Sequence, residues 1–273
     1  MWISREIWRR VLLWSDVEES PVPNYEWSPI QPLSEEDKQI NLSEIAPLYD
    51  SWRASQARLR ESSPRGLAGF NQRLIRRLSI ETGILEHLYD LDQGTTEALV
   101  THGFTEDFIA RTSTDIEPAR LIDILRDQEA AIKLVMDYVA GGRTLTKSFI
   151  HQLQAILTRH QTTTTAVDSL GRRFEIPLLS GQYKSQPNNP RRNDGTLHEY
   201  CPPIQVESEM DNLLKWFEEY HHSDPILVSA WLHHRFTQIH PYQDGNGRVS
   251  RALVTLVLIK AGLLPLEIGR AHV

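Results

Sequence analysis

The sequence predicts a mainly α-helical fold with one small β-hairpin. Three observations carry that reading. Apolar residues recur at helical spacing in stretch after stretch of the 273 residues. The run Val249 to Ile259 is apolar nearly all round, the pattern of a buried helix. Asp194-Gly195 is a turn signal between two extended segments, Leu178–Lys184 and Gly195–Pro203.

The elements follow in order. Ile3, Ile7, Val11 and Trp14 form one helical stripe, expected to pack on the domain, with contact to a membrane surface as the alternative. Residues 15–33 form a Pro-rich linker or arm. Ser34–Arg60 reads as one amphipathic helical stretch with Ile45, Leu48, Tyr49 and Trp52 as its apolar face, broken by Ser62-Ser63-Pro64-Arg65-Gly66. Helical patterns follow at 67–90, 94–103, 117–139, 146–159, 207–221 and 225–239. Met210, Leu213, Leu214, Trp216, Phe217 and Tyr220 read as core. The expected organisation is an N-terminal arm and helical region over 1–66, a domain over 67–266 and a tail over 267–273.

Composition narrows the function. Net charge is −7, which argues against a nucleic-acid binder needing a basic face. Cys201 is the only cysteine, so no intrachain disulfide exists and a reducing, cytoplasmic setting is expected. No apolar run reaches the roughly 18 residues of a membrane span. The N-terminus has charges throughout and no small-residue cleavage site, unlike a secretory signal. Gly141 to Ser148 lacks the glycine before lysine and a preceding strand, so it is no P-loop. His221-His222 and His233-His234 have no Cys or carboxylate cluster beside them to make a metal site.

The most informative stretch is His240-Pro241-Tyr242-Gln243-Asp244-Gly245-Asn246-Gly247-Arg248-Val249-Ser250-Arg251. It is a loop feeding a helix N-terminus, where free N–H groups and the positive dipole end favour an anion. Arg248 and Arg251 stand at i and i+3, able to reach one polyphosphate. Singly, each residue has an ordinary role: Asp244 as a helix cap, the glycines for the turn, the arginines on the surface, His240 in the core. A structural turn needs neither two arginines on one face nor a histidine ahead of them.

The dodecapeptide resembles the signature of the Fic (Fic/DOC) family, with Tyr242 in place of the usual phenylalanine. Ala230–Ile239 resembles the helix that leads into that signature, and weaker similarity extends from about Phe70 to Pro265. The resemblance implies a Fic-type helical bundle and a protein adenylyltransferase. Such an enzyme transfers AMP from ATP to a Ser, Thr or Tyr hydroxyl of a target protein, self-modification included. His240 would be the general base, suited by a pKa near neutrality. Asp244 would hold Mg²⁺. Gly245, Asn246 and Gly247 would cradle phosphate oxygens, Arg248 would neutralise the β-phosphate and Arg251 the γ-phosphate. The same fold also serves other donors (UMP, phosphocholine or phosphate transfer), and an inactive interaction module is the remaining alternative.

Phe70 to Gly83 resembles the family's autoinhibitory helix, which implies that Glu81 pairs with Arg251 and keeps it from the γ-phosphate. Arg77 and Thr82 depart from the usual pattern. Without the resemblance, Glu81 is a solvated glutamate or a partner of Arg77 at i−4. The resemblance also implies that the segment around Asp194-Gly195 is a hairpin flap holding a target peptide by strand addition; without it, Pro187-Asn188-Asn189-Pro190 and Arg191-Arg192 suit a disordered surface loop equally. Fic domains usually continue with further helices, whereas Glu267–Val273 reads back, codon by codon, as a sequencing adapter. A non-native tail and a truncated domain are therefore expected.

Overall fold

The computed structural model describes residues 25–167, 172–192 and 194–265. The stripe at Ile3–Trp14 and the tail 267–273 lie outside them. The chain divides into two compact units, Met1–Ile40 with Thr163–Asn246 and Asn41–Thr162 with Gly247–Val273.

In the first unit, residues 25–33 settle the choice between linker and arm. The Ile30 N–H donates to Glu209 Oε2 at 2.8 Å and the Leu33 N–H to the Tyr220 hydroxyl at 2.8 Å. Trp231 Nε1 donates to the Gln31 carbonyl at 3.0 Å. Ile30 and Leu33 are buried. A segment without regular structure must still pair its backbone, and side chains of α7 (Pro203–Glu219) and α8 (Pro225–Ile239) supply partners here. Both helices begin at proline, whose fixed φ and missing N–H suit a first turn. They pack on each other, and Val206, Met210, Leu213, Leu232 and Phe236 on them are buried.

The hairpin lies upstream of the expected place. β1 (Thr163–Val167) pairs antiparallel with β2 (Arg173–Pro177), Thr165 opposite Glu175. Around Asp194-Gly195 the described residues form only isolated bridges, Arg191 with Leu197 and His198 with Tyr25. Thr163-Thr164-Thr165-Ala166-Val167 is a β-branched run, the signal that identifies the strand. The Pro, Asn and Arg content of 186–194 gives turns instead.

The second unit is helical: α2 (Ala46–Ser62), α3 (Pro64–Leu85), α4 (Gln93–His102), α5 (Pro118–Ala140), α6 (Lys147–Leu157) and the body of α9 (Asn246–Lys260). The expected helix over Ser34–Arg60 is in fact two. The short α1 (Glu35–Lys38) is opened by a capping box between Ser34 and Asp37 and ends at Gln39, and α2 restarts with Pro47 in its first turn. α3 packs on α2, α4 and α5 around Ile80, Tyr89, Leu91, Leu99, Leu121 and Leu125. Gly83 has a packing role: a Cβ there would overlap the Tyr89 ring, whose hydroxyl donates to the Ile80 carbonyl at 3.0 Å. Asp92 caps α4 and Thr146 caps α6. Among the described residues no helix is long and apolar enough to cross a membrane.

Candidate active site

α8 ends at His240, which sits in the left-handed region at φ 51°, ψ 59° while its N–H still donates to the Phe236 carbonyl. A non-glycine residue held there is strained, and such strain clusters at functional positions. The loop that follows is clamped by its own side chains. Asn246 Oδ1 accepts the Tyr242 N–H at 2.9 Å, and Asn246 Nδ2 donates to the Tyr242 carbonyl at 2.7 Å. The Tyr242 ring is fully buried beside Phe236 and Tyr183, so the aromatic does lie under the loop. Asn246 thus spends its side chain on the loop and on His240.

His240 is stacked face to face on Tyr200, centroids 3.9 Å apart. Burial draws its pKa down to about 3, the Lys184 ammonium adds to the shift and Asp244 opposes it. The neutral imidazole is therefore the resting form. Nδ1 faces the side-chain amides of Asn188 at 2.8 Å and Asn246 at 3.1 Å. The Asp244 carboxylate accepts from Thr164 Oγ1 on β1 at 3.1 Å. Gly245 takes φ 84°, open to glycine and costly for other residues.

In the second unit, Arg248 and Arg251 are one turn apart on α9. Arg248 is buried, donating from Nη1 to the Leu157 carbonyl at 2.8 Å and from Nη2 to Gln161 at 2.9 Å. Leu157 is the last residue of α6, where a cation meets the negative dipole end. Reaching a β-phosphate would cost Arg248 these contacts. Arg251 donates from Nε to Thr82 Oγ1 at 2.7 Å and from Nη2 to Glu86 Oε1 at 2.6 Å.

The carboxylate that meets Arg251 is thus Glu86, not the expected Glu81. Helix geometry explains the exchange. Thr82 and Glu86 are four residues apart and share a face at the end of α3, while Glu81 lies about 100° round from Thr82. Glu86 also lies against Gly247, where a Cβ would collide with its carboxylate. A carboxylate therefore rests beside the first turn of α9 and its arginine, where a phosphate was expected.

Residues 144–258, which contain the clamped loop and most of α9, match the family model described as Fic/DOC family. This stretch is similar to a Fic domain. It is 41% identical over 66 residues to a Fido domain-containing protein of Dictyostelium discoideum, covering 23% of this chain and 46% of that protein. It is 31% identical over 98 residues to a protein adenylyltransferase Fic of Drosophila melanogaster, covering 34% of this chain and 18% of that protein. The chain thus spans less than half the length of these curated relatives. Among solved structures, a Fic domain-containing signaling protein of Bacteroides thetaiotaomicron superposes with a TM-score of 0.60 at 23% identity, over 78% of this chain and 73% of that one.

Within the matched stretch, the motif residues needed no tertiary information to be found, whereas Thr164, Lys184, Asn188 and Tyr200 did. Asn188 sits in Pro187-Asn188-Asn189-Pro190, read from sequence as turn material. Thr82 and Glu86, at the end of α3, carry no motif of their own.

Proposed function

We propose that this chain transfers AMP from ATP to a Ser, Thr or Tyr hydroxyl of a protein. The observation that carries the reading is the clamped loop from His240 to Asn246. It holds a neutral imidazole and a carboxylate four residues apart and leads directly into a helix N-terminus. The hydroxyl oxygen attacks the α-phosphorus, the bond from that phosphorus to the bridging oxygen breaks, and pyrophosphate leaves. His240 receives the hydroxyl proton, a task that needs the unprotonated ring. The N–H groups of the first turn of α9, from Gly247 on, receive phosphate oxygens. Arg251 offers positive charge to the terminal phosphates once Glu86 releases it.

Asp244 suits Mg²⁺, which takes one or two protein carboxylates and completes its shell with phosphate and water. When bound, the ion neutralises charge on the phosphates. Thr164 would then orient the carboxylate through its hydroxyl. β2 of the hairpin is mostly exposed and presents a backbone edge to which a target peptide can add. Inhibition is assigned to the carboxylate that holds Arg251, which makes Glu86 the first candidate and Glu81 the second.

The test is incubation with ATP labelled at the α- or the γ-phosphate, using wild type, His240→Ala, Glu86→Gln and Glu81→Gly. α-Label on protein that vanishes in His240→Ala supports AMP transfer. γ-Label indicates a kinase, label only from UTP or a CDP-alcohol indicates another donor, and no label from any of them leaves a binding module.

A further inference from the structure

Beyond the motif, a chain of hydrogen bonds runs to the His240 imidazole from a lysine with no place in the chemistry above. Lys184 is only 3% exposed, and burial draws its pKa down to about 8. Its Nζ donates to Asn188 Oδ1 at 2.8 Å and to the Ile239 carbonyl at 3.5 Å, and lies 5.7 Å from the Tyr200 ring centroid. Among the described residues these acceptors are all neutral. A carboxylate partner would explain a buried ammonium as half of an ion pair. Here its visible effect is to orient an amide.

An ammonium has only donors to offer, so Asn188 must turn Oδ1 toward it. That leaves Nδ2 with two hydrogens, one aimed at the Tyr242 carbonyl at 2.8 Å and one at His240 Nδ1 at 2.8 Å. Asn246 is fixed independently. Its Oδ1 takes the Tyr242 N–H, so its Nδ2 faces the Tyr242 carbonyl and His240 Nδ1. Turning either amide over would set oxygen against the Tyr242 carbonyl and N–H against another donor.

We propose that Lys184 and Asn188 are positioning residues that hold His240 in one tautomer, with Nδ1 an acceptor between two amide donors and the ring proton on Nε2. In that state Nε2 is itself a donor. To accept a hydroxyl proton there, the ring must release the Nε2 proton to water and take one at Nδ1. A proton on Nδ1 needs an acceptor, which neither amide offers while Asn188 is held by Lys184 and Asn246 by Tyr242. The two amides, one of them set by the lysine, therefore govern whether the imidazole can become a base at Nε2. That consequence rests on His240 acting as the base, as proposed above; the tautomer itself does not.

The experiment reads the two ring nitrogens of His240 by ¹⁵N NMR near neutral pH, in the full chain, for wild type, Asn188→Asp and Lys184→Met. Wild type is expected to show an unprotonated Nδ1 and a protonated Nε2. Asn188→Asp places an acceptor at Nδ1 and should invert the pattern, with α-label transfer rising at least about threefold. Lys184→Met releases the amide and should move Nδ1 part-way toward its protonated shift. A protonated Nδ1 in wild type, or an unchanged pattern in both folded variants, overturns the proposal. Where a variant does not fold, the wild-type spectrum decides. An inverted tautomer with no transfer by any variant would retire the base role and keep the positioning role. Transfer alongside a protonated wild-type Nδ1 would do the reverse.

Discussion

Arg251 and Glu86 form an ion pair at 2.6 Å, with Thr82 completing the grip on the guanidinium. The pair is mostly shielded, at 18% and 24% side-chain exposure, so solvent weakens it less than a surface pair. An arginine engaged by a carboxylate must give it up before meeting a phosphate. Glu86→Gln should therefore tighten ATP binding by about 3- to 10-fold, measured by calorimetry, since a charge-assisted contact is worth on the order of 1 kcal/mol or more. Glu81→Gly serves as the comparison. A gain in Glu81→Gly with none in Glu86→Gln would return the inhibitory role to Glu81.

The depressed pKa of His240 gives a pH prediction whose sign follows from linkage. A histidine in the unfolded chain binds its proton near 6.5, while in the fold the value is about 3. The unfolded state then holds more protons between those values, and stability falls as pH drops through that window. Above 6.5 the contribution is fully present. The His240 Cε1–H resonance should stay constant between about pH 8 and pH 5, and activity should show no acid limb from this residue there. A titration midpoint near 6.5 would contradict the burial of the ring.

Gly83 is a packing glycine. Gly83→Ala forces a methyl group into the buried Tyr89 ring, whose hydroxyl is tied to Ile80. Overpacking of this kind costs about 1–3 kcal/mol, which chemical denaturation will read as a lower midpoint. Pairing it with Tyr89→Leu should recover part of that loss.

The arm depends on a buried carboxylate. Glu209 is 6% exposed and accepts the Ile30 N–H. Glu209→Ala leaves that buried N–H without its partner, at a cost of about 1–3 kcal/mol. Amide exchange should accelerate over residues 25–33. Unchanged protection there would mean that Ile30 and Leu33 hold the arm by burial alone.

Gly247→Ala tests the seat of Glu86. The added methyl meets the end of a side chain rather than backbone, so Glu86 can swing aside. The variant should fold with a midpoint close to wild type and show faster exchange of the Arg251 Nη–H protons, with Nε–H still held by Thr82.

The helices and the motif were readable because both are local. Periodicity, proline starts and Asp or Thr caps are written within a turn or two, so α3 to α9 fall close to their expected places. The His240–Arg251 loop is also local, since Asn246 clamps Tyr242 four residues away. The break within Ser34–Arg60 was less visible, because amphipathic periodicity runs through it. The hairpin at 163–177 could have been found from its threonine run.

Other contacts had no local trace. Asn188 reaches His240 across 52 residues, Glu86 reaches Arg251 across 165, and Glu209 reaches Ile30 across 179. By itself the sequence determined a mainly helical Fic-type chain and the inventory of groups for phosphate chemistry. Only the tertiary structure decided which carboxylate holds Arg251, that Arg248 and Asn246 are committed to protein partners, and which groups face Nδ1 of His240. The physical reason is that a residue's type sets what it can donate or accept, while its partner depends on which distant side chain the packing delivers.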